Sequence, residues 1–244
     1  MFDKNFKNFV SFAVQKSKEY YSNELNLNTA NPYFIGFGNP NSEILIMGKE
    51  KGFCEKNSEQ LQYESIENPN EWKYYIDNQV ELNKLKYGNS EYYINAFRPY
   101  FSKMKGGHTW NKYHTLLKNI YPQIKKDENE FLNYTFISEI NFLPSRLSKI
   151  KKFNNIERIN FLMNEYFRSF NVIICACGDY LTDSQIEEIF DVKFELNISN
   201  PNEKLKIFRN DKRVLVNTRQ LSMNIKMDYL IRISEVAKEY LTSK

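Results

Sequence analysis

Ile44-Leu45-Ile46-Met47-Gly48 is a short apolar run that ends on a glycine. A run with no polar alternation suits a parallel strand covered on both faces. Two more stretches read as strands, Thr135–Asn141 (TFISEIN) and Val172–Cys177 (VIICAC), the second closed by Gly178. KLKIF (204–208) and RVLVN (213–217) form a hairpin-like region. Helical patterns fall between these runs. Residues 2–22 carry Phe2, Phe6, Phe9 and Ala13 at helical spacing. Residues 58–86 read as helical with an interruption at Asn68-Pro69. Thr109 caps a helix through Trp110, Tyr113, Leu116, Leu117 and Ile120 that stops before Pro122. Residues 154–169 read as an amphipathic helix through Ile156, Ile159, Leu162, Met163 and Phe167. Thr182 and Gln185 form a capping box that opens a helix over 183–190, and a last helix spans about 224–241. Strands alternating with helices predict an α/β fold of three layers, with a central four-stranded, mainly parallel sheet flanked by helices. No internal repeat or Pro/Gly/Ser linker divides residues 1–244, so one domain is expected, with the N-terminal and C-terminal helices packed on it.

Composition narrows the function classes. Apolar residues make up 41% and aromatics 16% of 244 residues, enough for a core and too much for a disordered chain. No stretch of 18 apolar residues exists, so no membrane span is expected. Asp3, Lys4 and Lys7 break up the first apolar residues, which excludes a signal peptide and points to the cytoplasm. Three cysteines suit a reducing compartment. Cys175 and Cys177 share a strand face and read as core, and Cys54 is remote. With only two histidines beside them, a thiolate zinc or iron–sulfur cluster is not expected, nor is any other metal or cofactor. The net charge is +4, with lysine clusters at 149–152 and a Lys/Arg run over 204–213. Such runs track a phosphate backbone or simply face solvent.

In open parallel sheets, ligands bind beyond the carboxyl ends of the strands. The residues there are Gly48-Lys49-Glu50, Glu139 to Asn141, Gly178-Asp179 and Asn217-Thr218-Arg219. Taken in order, four blocks resemble motifs of the uracil-DNA glycosylase superfamily. GFGNPNSEILIMGKEKG (36–52) looks like its Gly-rich entry, first strand and water-activating loop. HTWNKYHTLLKNIY (108–121) is similar to its proline/serine loop and following helix. VIICACGDYL (172–181) resembles its apolar strand ending in Trp-Gly, and VLVNTRQLSMN (214–224) its last strand and loop. The resemblance covers roughly residues 34–225 and fits a divergent branch. It implies a metal-free, monomeric hydrolase that cleaves the N-glycosidic bond of a base flipped from duplex or presented in single-stranded DNA.

That chemistry passes through an oxocarbenium-like sugar, which a nearby carboxylate stabilises while orienting water. The departing base wants a donor in a dry site, a contribution of about 2.7–4 kcal/mol in comparable oxyanion holes. On the resemblance, Glu50 takes the place of the water-activating acid, with Gly48 and Lys49 in the base-binding loop; the plainer reading is a surface Glu between Lys49 and Lys51. Asn217 replaces the family's histidine, and an amide carries no tunable proton. The chain is then a slower hydrolase, or a module that binds DNA or nucleotides without turnover; a hydrolase of free nucleosides is the third reading. Glu139 and Asn141 are alternative base readers and share a face. Gly52 stands where some members carry a bulky tyrosine that excludes thymine. His108 and Thr109 fall in the loop that presses on DNA, where a helix-capping neighbour is the alternative for His108. Arg219 and Gln220 lie in the last DNA-facing loop, Arg219 either clamping a phosphate, stacking on a base or pairing with an acid. Ser222 would be a phosphate contact. His114 reads as helix surface or packed, and Trp110 and Tyr113 as core.

Overall fold

Apolar strands covered by helices on both faces dominate the computed structural model, which describes residues 2–52, 61–81, 108–125, 130–144, 151–200 and 203–243. Strands β1 (Phe37–Gly38), β2 (Ile44–Glu50), β3 (Thr135–Asn141), β4 (Val172–Ala176), β5 (Lys193–Asn197), β6 (Leu205–Arg209) and β7 (Val214–Thr218) form one sheet in the order β1-β3-β2-β4-β7-β6-β5. β3, β2, β4 and β7 run parallel, whereas β1, β6 and β5 are antiparallel to their neighbours. The class is α/β, but the sheet is mixed and seven-stranded, which corrects the expectation of four mainly parallel strands. β1 is two residues long inside a turn-rich stretch, and every residue of β5 is exposed, so neither shows a buried-strand pattern.

The helices are α1 (Lys4–Tyr21), α2 (Asn68–Asp77), α3 (His108–Ile120), α4 (Ile156–Leu162), α5 (Asp183–Phe190) and α6 (Met227–Thr242). One sheet face, carrying Leu45, Met47, Phe136, Ile173 and Leu215, packs against α1, α2, α4 and α5. The other, carrying Ile46, Ile137, Ile174 and Val216, packs against α3 and α6. Burying a side chain of this size stabilises by about 1.5–3 kcal/mol. Alternation along the parallel strands therefore decides which layer each residue at their carboxyl ends faces.

Two helices differ from the sequence pattern for local reasons. The expected interruption at Asn68-Pro69 is present: the chain bends at Glu67, and Pro69 sits in the first turn of α2, where its missing N–H costs nothing. A π-helical turn, Gln62–Ile66, precedes it, and the rest of the expected 58–86 helix beyond residues 61–81 lies outside the described residues. α4 stops at Leu162 instead of running to 169. There the Asn164 side chain accepts from the Tyr166 N–H at 3.0 Å and its carbonyl from the Phe167 N–H, a local alternative to the helical ladder. The capping box of Thr182 and Gln185 forms with both of its bonds.

The buried face of α4 also differs. Ile156 is 73% exposed, and Arg158 takes the inward position with no exposure at all. Its guanidinium donates to the carbonyls of Pro32 (3.0 Å), Phe34 (2.6 Å), Glu139 (2.5 Å) and Ile140 (3.4 Å) and to Ser138 Oγ (3.3 Å). One side chain thus ties the end of β3 to the segment that leads into β1. An unsatisfied buried carbonyl costs about 1–3 kcal/mol. Arg158→Met should therefore lose more than about 3 kcal/mol of unfolding free energy in urea. Arg158→Lys should not restore it, because one ammonium cannot span a planar fork of acceptors. A loss within about 0.5 kcal/mol for Arg158→Met would contradict this role.

Candidate active site

The parallel strands end along one edge of the sheet, and Glu50 closes β2 there in register with Asn141 at the end of β3. The Glu50 side chain is only 6% exposed. Its Oε1 accepts from Lys49 Nζ at 3.2 Å. Its Oε2 accepts from Asn141 Nδ2 at 3.4 Å and from the Tyr180 hydroxyl at 3.5 Å. Asn141 Nδ2 also reaches Tyr180 at 2.8 Å, while its carbonyl accepts from the Leu143 N–H at 3.0 Å. Lys49 Nζ lies 4.8 Å from the centre of the Tyr180 ring. A carboxylate offers about four acceptor sites. Three neighbours therefore orient the Glu50 carboxylate.

Two clefts meet this group. The smaller, about 230 Å³, is lined by Phe34, Phe37, Trp110 and Tyr113 as aromatic walls and by Glu50, Glu64, Glu139 and Lys51 as polar groups. Thr109 and Gly52 are at its rim, and a Cβ on Gly52 would meet nothing within 4 Å. Trp110 and Tyr113, expected only as core, thus also shape a pocket. The larger cleft, about 730 Å³, carries Lys49, Lys151, Lys204, Lys206 and Arg219 against Asp179 and Glu203. Lys204 is fixed there by Asp179 at 2.8 Å and by the Gly178 carbonyl at 2.7 Å. That contact holds the Asp179 carboxyl below the usual carboxylate range. Gln220 also lines this cleft.

The small pocket holds strongly perturbed groups. Burial, with Glu50 and Glu64 nearby, pushes the Glu139 carboxyl up to about 8 against the pull of Lys51 and Arg158. Burial pulls Lys51 down to about 7, although Glu64 and Glu139 oppose it. The Lys51 ammonium also sits 3.2 Å from the centre of the Phe34 ring. Glu139 Oε2 is out of solvent and makes no hydrogen bond. Gly48 makes room for that carboxyl, since a Cβ at residue 48 would fall 2.1 Å from Oε2. An alanine there would displace the acid.

The structure brings Glu50, Lys49 and Asn141 into direct contact and sets Gly48 and Glu139 in the pocket beside them. Asn217 is not among them. It lines neither cleft, its amide is wholly buried, and both amide atoms lack a partner. By alternation it shares the face of Leu215, opposite the face of Ile44 and Ile46 to which Glu50 belongs. Neither amide atom of Asn217 makes a hydrogen bond to Glu50. Ser222 is exposed beside the larger cleft without lining it. The His108 side chain, Cys54 and Lys149 lie outside the described residues. His114 Nε2 bonds the Lys125 carbonyl at 3.0 Å, on the outside of α3. Cys175 and Cys177 are buried with their sulfurs 3.3 Å apart. Sequence reading missed Tyr180, Lys51, Glu64 and Phe34. Tyr180 follows Gly178-Asp179 at the strand edge already singled out, and that position was the available signal.

No helix among the described residues is long and apolar enough to cross a membrane. Compared with protein-family models, curated proteins and solved structures, the chain returns no match.

The Glu139 carboxyl has a stability consequence. Between its usual value of 4.5 and about 8, the folded chain holds a proton that the unfolded chain releases, so stability falls as pH rises through that window. Lys51 acts in the opposite direction between about 7 and 10.5. Glu139→Gln removes only the first effect. The melting temperature of the wild type should fall relative to Glu139→Gln between about pH 5 and about pH 8 and then run parallel to it. Identical pH profiles would contradict burial of this acid.

Proposed function

We propose that this chain is a hydrolase of N-glycosidic bonds that acts on a base turned out of DNA, as its resemblance to the uracil-DNA glycosylase superfamily implies. One observation carries the reading: an oriented, nearly buried carboxylate, Glu50, lines an aromatic pocket and pairs with Lys49 of a cation-rich cleft. A base needs a flat apolar slot with a few polar groups, and its flanking phosphates need cations. Glu50 lines the slot, and its ion-pair partner Lys49 lines the cation-rich cleft.

In this reading the base enters the small pocket and the backbone lies along Lys49, Lys151 and Arg219. Glu50 faces the sugar, orients water and takes its proton as the water oxygen bonds C1′. The C1′–N bond breaks, and the base leaves with the bonding electrons into the pocket where Lys51 is a donor. Asn217 has no part in these steps. Its absence from the lining of both clefts favours the second reading, a glycosylase-like module that binds DNA without turnover.

Oligonucleotides bearing uracil, hypoxanthine, xanthine or a damaged base separate the two by release of an abasic product. Glu50→Gln should lower release by about 10²-fold or more and leave DNA binding intact. Unchanged release in Glu50→Gln would contradict the mechanism, and wild-type binding without any abasic product would favour the module. Lys151→Ala and Arg219→Ala should each weaken binding of every sequence and reduce the salt slope by about one. A salt slope unchanged in both would remove the large cleft from the DNA path.

A further inference from the structure

We infer that Lys51 gives this chain a second activity, cleavage of the strand at an abasic sugar: its amine forms an imine with the C1′ aldehyde, and the 3′ phosphate then leaves by elimination. This rests on the base-release reading for the origin of that sugar in DNA. The geometry comes first. Lys51 lines the same small pocket as Glu50, which precedes it in the chain. Its Nζ sits 3.2 Å from the centre of the Phe34 ring and 4.5 Å from that of Phe37, and it donates to the Glu64 carbonyl at 2.5 Å. The whole residue is only 8% exposed. Burying an ammonium is costly, and an apolar side chain would fill the same wall without that cost. The rings and the carbonyl fix the nitrogen inside the pocket that the sugar-facing carboxylate also lines.

Lysines act as imine-forming nucleophiles where burial or a neighbouring cation favours the free amine. Both are present. Burial pulls Lys51 down to about 7, and the Arg158 guanidinium from α4 acts in the same direction. Glu64 from the π-helical turn and Glu139 from β3 oppose them. At neutral pH an exposed lysine holds less than about one part in 10³ of free amine, so a buried one has the advantage. Once the base has left, the ring-opened sugar takes its place in the pocket. The amine adds to C1′, water leaves, and C1′=Nζ remains. The protonated imine draws electrons from the C2′–H bond. Glu50 takes that proton, C2′=C3′ forms, and the 3′ phosphate leaves with the electrons of the C3′–O bond. Water then hydrolyses the imine and restores the amine, and no oxidant or reductant is consumed.

An oligonucleotide whose single abasic site is made by acid depurination tests this on the whole chain, without asking for base release. With cyanoborohydride present at neutral pH, the imine should be reduced to a stable secondary amine, and peptide mass mapping of the wild type should place the sugar on Lys51. Without reductant, the strand should be cut on the 3′ side of the abasic site. Lys51→Arg keeps a cation but loses the nucleophile, so adduct and cutting should each fall about tenfold or more. Glu50→Gln should still be trapped and should cut about tenfold or more slowly. No adduct, an adduct spread over other lysines, or cutting undiminished in Lys51→Arg would each overturn the assignment, and mapping on the wild type decides even where that variant fails to fold. Undiminished cutting in Glu50→Gln would overturn the elimination step. If Lys51 is trapped but no oligonucleotide yields base release, this activity stands and the hydrolase reading falls. If bases are released and Lys51 is never trapped, the hydrolase reading stands and this activity falls.

Discussion

A guanidinium with no exposure to water holds the candidate site in shape. Arg158 reaches from α4 to carbonyls on both sides of the pocket wall, those of Glu139 and Ile140 on β3 and those of Pro32 and Phe34 before β1. Phe34 and Glu139 both line the small pocket, so the residue that satisfies their backbones also sets their separation. Burying such a charge costs several kcal/mol, which its dense set of acceptors offsets. Burial pulls Arg158 down to about 9, still charged at neutral pH, and its charge opposes the rise at Glu139. The same contact is thus mechanical and electrostatic.

From this clamp the division of the site follows. On one side, burial dominates, and carboxyls and an amine with displaced proton affinities sit among aromatic rings. On the other, exposed Lys151 and the half-buried Lys49, Lys204, Lys206 and Arg219 line an open cleft. Perturbed ionisation in a cleft marks its groups as functional candidates. Glu50 belongs to neither extreme. Its three hydrogen-bonding neighbours come from β2, from the end of β3 and from the loop after β4, so its position depends on the parallel register of all three strands.

Much of the layered fold was legible because the inner strands are uniformly apolar. Ile44 to Met47 and Val172 to Cys175 are apolar at every position, and both are fully buried. Glu50, Lys49 and Asn141 could be found because they end such strands. The edge strands were not legible: Phe37–Gly38 has no length, and β5 buries nothing. Arg158 was hidden because a charged residue inside an amphipathic pattern reads as its solvent side, and only the five acceptors brought by distant segments reverse that. Asn217 ends its strand as expected and shares the face of Leu215, a placement that turns on a single-residue register.

The central claim is that a nucleotide spans the two clefts with its sugar at Glu50. A crystal structure with a short single strand carrying 2′-fluoro-2′-deoxyuridine tests it most directly, because fluorine disfavours the cationic sugar and preserves the bond. The expected result is a uracil ring between the walls of Phe34, Phe37 and Trp110, C1′ facing the Glu50 carboxylate, and flanking phosphates along Lys49, Lys151 and Arg219. A ring bound outside that pocket, with its sugar remote from Glu50, would contradict the account.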